Sequence, residues 1–428
     1  MSKQRIQLSD HFTYSRLLQF VLPCIGTMLF TSIYGIVDGL CVSNFVGKTA
    51  FAAVNLIMPV PMLVGTVGFM LGTGGSAIVG ITLGEGDENK ANRYFSLFVL
   101  AAFLAGVALS VLGLFILRPV AILMGAKGEM LDFAVRYGRV LMVSVPTFIL
   151  QNMFQSFFVT AEKPTLGFWF TVGAGCTNMV LDVVLVGWLR WGVEGAAIAT
   201  FISQIVGGVL PVFYFLEKKN TSRIHLGRTE FHGGVLRAAC INGSSELMSN
   251  ISSSLVSMIY NFQLLRYVGQ DGISAYGVLM YVQFIFVAIS IGYSIGSAPV
   301  ISFHYGALHY DELNSLLKKS VRLTAAAGVV LTALAYGLAA PLAKIFVGYD
   351  AGLLALTVHA FRLFCFSFLL SSFNIFASSF FTALNDGAVS AAISFLRTLV
   401  FQTSAVLLLP LLLKTDGIWL STGPAGRQ

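Results

Sequence analysis

Three acidic side chains sit inside long apolar runs of this sequence: Asp38 in SIYGIVDGLCVSNFVG, Asp182 in GAGCTNMVLDVVLVG and Glu246 in INGSSELMSNISSS. A charge at the centre of a bilayer costs at least about 2.5–3.5 kcal/mol on insertion scales, so each is a candidate for function. Asn178 stands four residues before Asp182, which puts a carboxylate and an amide carbonyl on one helix face. Such oxygens suit a proton or a hard cation like sodium. A group that loads and unloads such an ion as it moves between two aqueous compartments can drive transport. The competing reading is that Asp38 or Asp182 lies at an interfacial helix end or caps a neighbour. Glu246 follows Asn242-Gly243-Ser244-Ser245, where a helix could break and admit water.

Three amides, Gln151, Asn152 and Asn374, fall inside further apolar stretches. They read first as hydrogen-bond glue between helices and second as contacts for a substrate or proton. His304 reads as interfacial, with a proton relay as the lesser alternative, and the other histidines read as solvated. The 36 phenylalanines and 13 methionines could serve flat hydrophobic cations, although most must face lipid. Pro23, Pro61 and Pro146 each free a backbone carbonyl and mark candidate kinks. The five cysteines lack metal-like spacing and read as small core residues.

The elements that must hold these groups are long and apolar. Of 428 residues, 56% are hydrophobic and only 11% charged, and the mean hydropathy is +0.82. A soluble domain averages roughly 25% charged residues, so the solvent for most of this chain is lipid. Spanning helices are expected near 17–43, 53–81, 93–117, 137–160, 166–189, 194–216, 236–266, 273–305, 320–343, 358–383 and 388–413. The polar start reads as no cleavable signal peptide. Lysine and arginine favour the side holding the N terminus, which makes that side cytoplasmic. The net charge of +7 suits anionic lipid rather than nucleic acid.

The sequence also repeats. A shift of 222 residues places Gly84 on Gly306, Pro119 on Pro341, Asn152 on Asn374, Ser156 on Ser378 and Thr160 on Thr382. Six helices per half put both halves the same way up, a parallel repeat of the kind transporters use to bind substrate between rocking halves. The expected fold is an all-α polytopic membrane protein of two six-helix lobes. Residues 1–216 form the first lobe, 217–235 a cytoplasmic linker and 236–428 the second. The twelfth helix, due at 416–438, is incomplete in this chain.

At Asp38 and the Asn178–Asp182 pair the chain resembles the multidrug and toxic compound extrusion family, in its bacterial drug-exporting branch. The resemblance rests on LPCIGTMLFTSIYGIVDGLCVSNFVG, GTGGSAIVGITLGEGDENKA, GVEGAAIAT after Asp182, and the duplicated GIWLST. It implies twelve helices around a central cleft and exchange of lipophilic, usually cationic compounds for protons or sodium. It also implies a coupling-ion site of Asp38, Asn178, Asp182 and Thr200, a second carboxylate at Glu246 and a hinge at Pro23.

The expectation is therefore a cation-coupled antiporter of the cytoplasmic membrane, acting as a monomer on small organic substrates. Beyond the coupling ion itself (H+ or Na+), no cofactor and no metal is expected. A lipid-linked oligosaccharide flippase is the alternative; it would need several cationic side chains for a pyrophosphate, with Arg397 the main candidate. Phosphate-cradling loops, HExxH and nucleophile elbows are missing from the sequence, and the loops are too short for an enzyme domain.

Overall fold

A computed structural model describes residues 6–46, 48–217, 220–348 and 350–421. Helix starts follow local chemistry. Asp87 caps one helix by accepting from the Lys90 N–H at 2.9 Å, and Asp350 caps another through Gly352 and Leu353. Pro59 and Pro61 lie in the first turn of their helix, and Pro164 opens another. Pro61 is therefore no kink: in a first turn, the N–H that proline lacks would have had no intrahelical partner.

The first half contains α1 (Tyr14–Phe45), α2 (Lys48–Ile57), α3 (Pro59–Gly84), α4 (Glu88–Leu123), α5 (Gly128–Thr160), α6 (Pro164–Leu181) and α7 (Gly192–Leu216). The second contains α8 (Gly233–Asn242), α9 (Ser244–Tyr267), α10 (Gln270–Gly306), α11 (Tyr310–Val347), α12 (Ala351–Phe364), α13 (Phe368–Ala383), α14 (Gly387–Phe395), α15 (Thr403–Leu413) and α16 (Thr415–Leu420). Two π-helical turns, Asp182–Trp188 and Leu396–Gln402, continue α6 and join α14 to α15.

Among the described residues, ten segments are long and apolar enough to cross a membrane. The stretch expected as one span over 236–266 is instead divided at Gly243 into α8 and α9. Several helices outrun their apolar middles. The spans expected at 93–117 and 320–343 are the cores of α4, 36 residues long, and α11, 38 residues long. Once the backbone ladder is running, charged turns add to it at the interface, and Glu88, Asp311 and Glu312 at helix starts suit the helix dipole. The last element, α16, is a short helix seated in the second lobe by the buried Ile418 and Trp419.

In the first lobe α5 is central, flanked by α3, α4 and α7, while α6 lies between α1 and α7. In the second, α13 packs on α10 and α11, and α9 packs on α14 and α15. The lobes meet where α1 and α3 run along α10 and where α3 crosses α8 and α9. The repeat is visible in these contacts. Gly296 closes on Val21, and Gly74 closes on the backbone at Gly243. These are the same contact displaced by 222 residues in both partners.

Candidate ion site and first-lobe cavity

The α6–α7 hairpin brings Asn178 to Thr200. The Asn178 Nδ2 donates to Thr200 Oγ1 at 3.4 Å, and Thr200 Oγ1 itself donates to the Ala196 carbonyl at 3.1 Å. This fixes the amide, so its Oδ1 points into the interior, where it has no partner among the described residues. Asp182 is fully buried one turn further on, at the first residue of the π-helical segment. Such a local widening recurs at functional sites because it re-aims side chains without ending the helix. The arrangement gathers a carboxylate, an amide carbonyl and a hydroxyl away from water, oxygen donors of the kind that suit a proton or a hard cation. Asp38 falls in α1, which packs on α6 and its π-helical turn; its side chain lies outside the described residues. Among the described residues, no group of three His, Cys, Asp or Glu side chains could hold a metal.

The first lobe also holds a cavity, lined by residues including Thr27, Met28, Gln151, Gln155, Phe158 and Phe170. The two neighbouring amides of α5 face different ways. Asn152 donates to the Gly65 carbonyl at 3.2 Å and ties α5 to α3, whereas Gln151 lines the cavity. The Oε1 atoms of Gln151, Gln155 and Gln204 are buried without a partner among the described residues. Gln204 stands one turn beyond Thr200 on α7, and the Gln151 amide packs over Gly207. Gln204 thus lies on α7 between Thr200 and Gly207, the glycine on which the cavity-lining Gln151 packs. Sequence reasoning missed Gln155 and Gln204, although their four-residue spacing from Gln151 and Thr200 was the available signal. Several phenylalanines are structural: Phe95, Phe154, Phe157 and Phe215 are buried in one cluster, with Phe95 and Phe157 centroids 4.9 Å apart.

In the second lobe, Glu246 occupies the first turn of α9, directly after the break at Gly243. It is the repeat counterpart of Cys24, which lines the first-lobe cavity. Arg397 Nε donates to Thr398 Oγ1 at 3.3 Å. Asn374 is half-buried in α13. His304, expected at an interface with water, is instead buried at 2% exposure against Phe12, Phe303 and His309. The reason is tertiary: the segment before α1 folds over it.

Two repeated helical lobes, with buried ionisable groups and a cavity in the first, define a multi-pass membrane transporter rather than an enzyme. The chain matches the MatE family model over residues 23–184 and again over 247–406, and it belongs to that family. It is similar to the multidrug export protein MepA of Staphylococcus saprophyticus, with 22% identity over 96% of this chain and 89% of that protein. MepA of Staphylococcus aureus strain N315 is 25% identical over 69% of this chain and 65% of its own. The fold also matches a solved structure described as the outward-facing conformation of a multidrug resistance MATE family transporter of the MOP superfamily, with a TM-score of 0.92, 21% identity, and coverage of 99% of this chain and 95% of that one. The protein is a multi-pass protein of the cell membrane.

Proposed function

We propose that this transporter exports lipophilic, mostly cationic compounds across the cell membrane in exchange for protons or sodium. Export of drugs is supported by membership of the MatE family and by the likeness to proteins named for multidrug export. The coupling rests on one observation: a buried carboxylate, Asp182, one turn from an Asn178 amide that Thr200 holds with its carbonyl turned inward. Loading an ion there neutralises Asp182, and the Gln204–Gln151 amides carry the rearrangement to the cavity. The end where Arg223 joins the lobes bears Lys90, Lys163, Arg223 and Lys319, so we read it as cytoplasmic.

The test is efflux of a fluorescent lipophilic cation from proteoliposomes under a pH gradient or a sodium gradient, imposed separately. One gradient should drive export, and Asp182→Asn and Asp38→Asn should each abolish it at equal protein. Full activity in either variant removes that residue from the site. No flux under either gradient overturns the antiporter reading in favour of the oligosaccharide carrier.

A further inference from the structure

Residues 7–12, just before α1, lie against both lobes. The Leu8 N–H donates to Glu162 Oε1 at 3.0 Å, and the side chains of Leu8 and Phe12 are fully buried. Glu162 belongs to the turn between α5 and α6, where it holds a left-handed φ of 58°. It also accepts from Arg223 Nη1 at 3.1 Å. Arg223, on the linker between the lobes, reaches Glu88 at 3.3 Å and lies 4.9 Å from the Phe303 ring centroid on α10. One guanidinium therefore touches the first lobe through two carboxylates and the second through an aromatic face.

The same segment is held from the other side. Glu312, in the first turn of α11, accepts from the Phe12 N–H at 2.9 Å, and its other oxygen lies 2.6 Å from His11 Nδ1. Lys319 Nζ donates to the Phe12 carbonyl at 2.5 Å. Two backbone N–H groups of a short segment that turns at Leu8–Ser9 thus donate to carboxylates from opposite lobes. Hydrogen bonds to ionised groups are roughly twice as strong as neutral ones. A segment pinned at Leu8 to one lobe and at Phe12 to the other cannot follow both if they part.

We propose that residues 7–12 and Arg223 form a clasp that locks the lobes together at this end, keyed by the carboxylates of Glu162 and Glu312, and that every transport cycle must open it. The proposal rests on the antiporter reading above, with the repeated lobes rocking apart at this end once in each cycle. Glu162 and Glu312 are positioning residues: neither lies at the cavity or the ion site.

Hydrogen exchange followed by mass spectrometry tests it on the full chain in detergent. In Glu162→Gln and Glu312→Gln, exchange should rise at least tenfold in the peptide covering residues 6–13. It should rise also at the lobe junction, in peptides covering 78–84 and 299–306. A rise confined to residues 6–13, or no rise, overturns the clasp. A second variant works in the opposite sense: an oxidised His11→Cys/Glu312→Cys pair should stop efflux from proteoliposomes, and reductant should restore it. Undiminished efflux while oxidised overturns the proposal. Wild-type protein that shows no efflux, yet whose junction responds to the two glutamine variants, sinks the export reading and leaves the clasp standing.

Discussion

Gly84 and Gly306 meet back to back where the two lobes join, and each occupies the other's place in the repeat. A methyl group on Gly84 would overlap the Phe303 carbonyl, and one on Gly306 would overlap the Ile81 carbonyl. No residue but glycine lets the ends of α3 and α10 approach this closely. The contact is the structural trace of the duplication: a parallel repeat brings equivalent residues together at its axis.

Gly306→Ala should therefore cost about 1–3 kcal/mol through overpacking, read as a fall in the apparent melting temperature in detergent. Gly337→Ala is the control. Its Cβ would meet nothing within 4 Å, and alanine in a helix interior gains about 0.5–1 kcal/mol over glycine. Equal melting temperatures for the two variants would contradict the close approach.

Thr200 is the acceptor that orients Asn178. Thr200→Val keeps the shape and removes the acceptor, leaving a buried amide donor at a cost of about 1–3 kcal/mol. The affinity for the coupling ion, measured from the ion dependence of efflux, should fall at least roughly tenfold, since about 1.4 kcal/mol corresponds to one decade. Thr200→Ser should retain it. Equal ion dependence in wild type and Thr200→Val would show that Asn178 needs no such orientation.

The two adjacent amides on α5 should separate stability from transport. Asn152→Ala removes the tie to the Gly65 carbonyl and should cost about 1 kcal/mol of stability, with efflux per folded molecule retained. Gln151→Ala should leave melting nearly unchanged and raise the substrate concentration needed for half-maximal efflux. The reverse pattern would exchange their roles.

Pro23 lies inside α1 and has no N–H to offer the Gln19 carbonyl, while its own carbonyl accepts from Thr27 Oγ1 at 2.9 Å. Pro23→Ala restores the missing backbone bond and should raise the melting temperature while slowing efflux. Unchanged turnover in a stabilised Pro23→Ala would mean that α1 does not bend in the cycle.

Much of the architecture was legible in one dimension because lipid imposes it. A chain that must satisfy every backbone group internally spans as helices, and runs of apolar residues mark the approximate place of the ten such segments among the described residues, though an eleventh run, 236–266, is split at Gly243. The helix ends were less legible. Apolar length marks only the part of α4 and α11 within the hydrocarbon, whereas charged first turns extend both helices beyond it. Pro61 illustrates the same limit, since a proline means a kink or a start depending on a boundary that hydropathy does not locate.

Spacing alone put Asn178 and Asp182 on one helix face, and composition alone marked their environment as apolar; the offset of 222 residues established the duplication. Only the tertiary structure decided which groups meet. It set Thr200 against Asn178 across a hairpin, turned Gln151 to the cavity while Asn152 ties two helices, buried His304 under the segment before α1, and placed Gly84 on Gly306. Periodicity reports how a residue faces along its own helix, because that follows from the helical repeat. Which neighbour covers that face depends on how whole helices pack and cross, which is settled by close contacts between residues far apart in the chain.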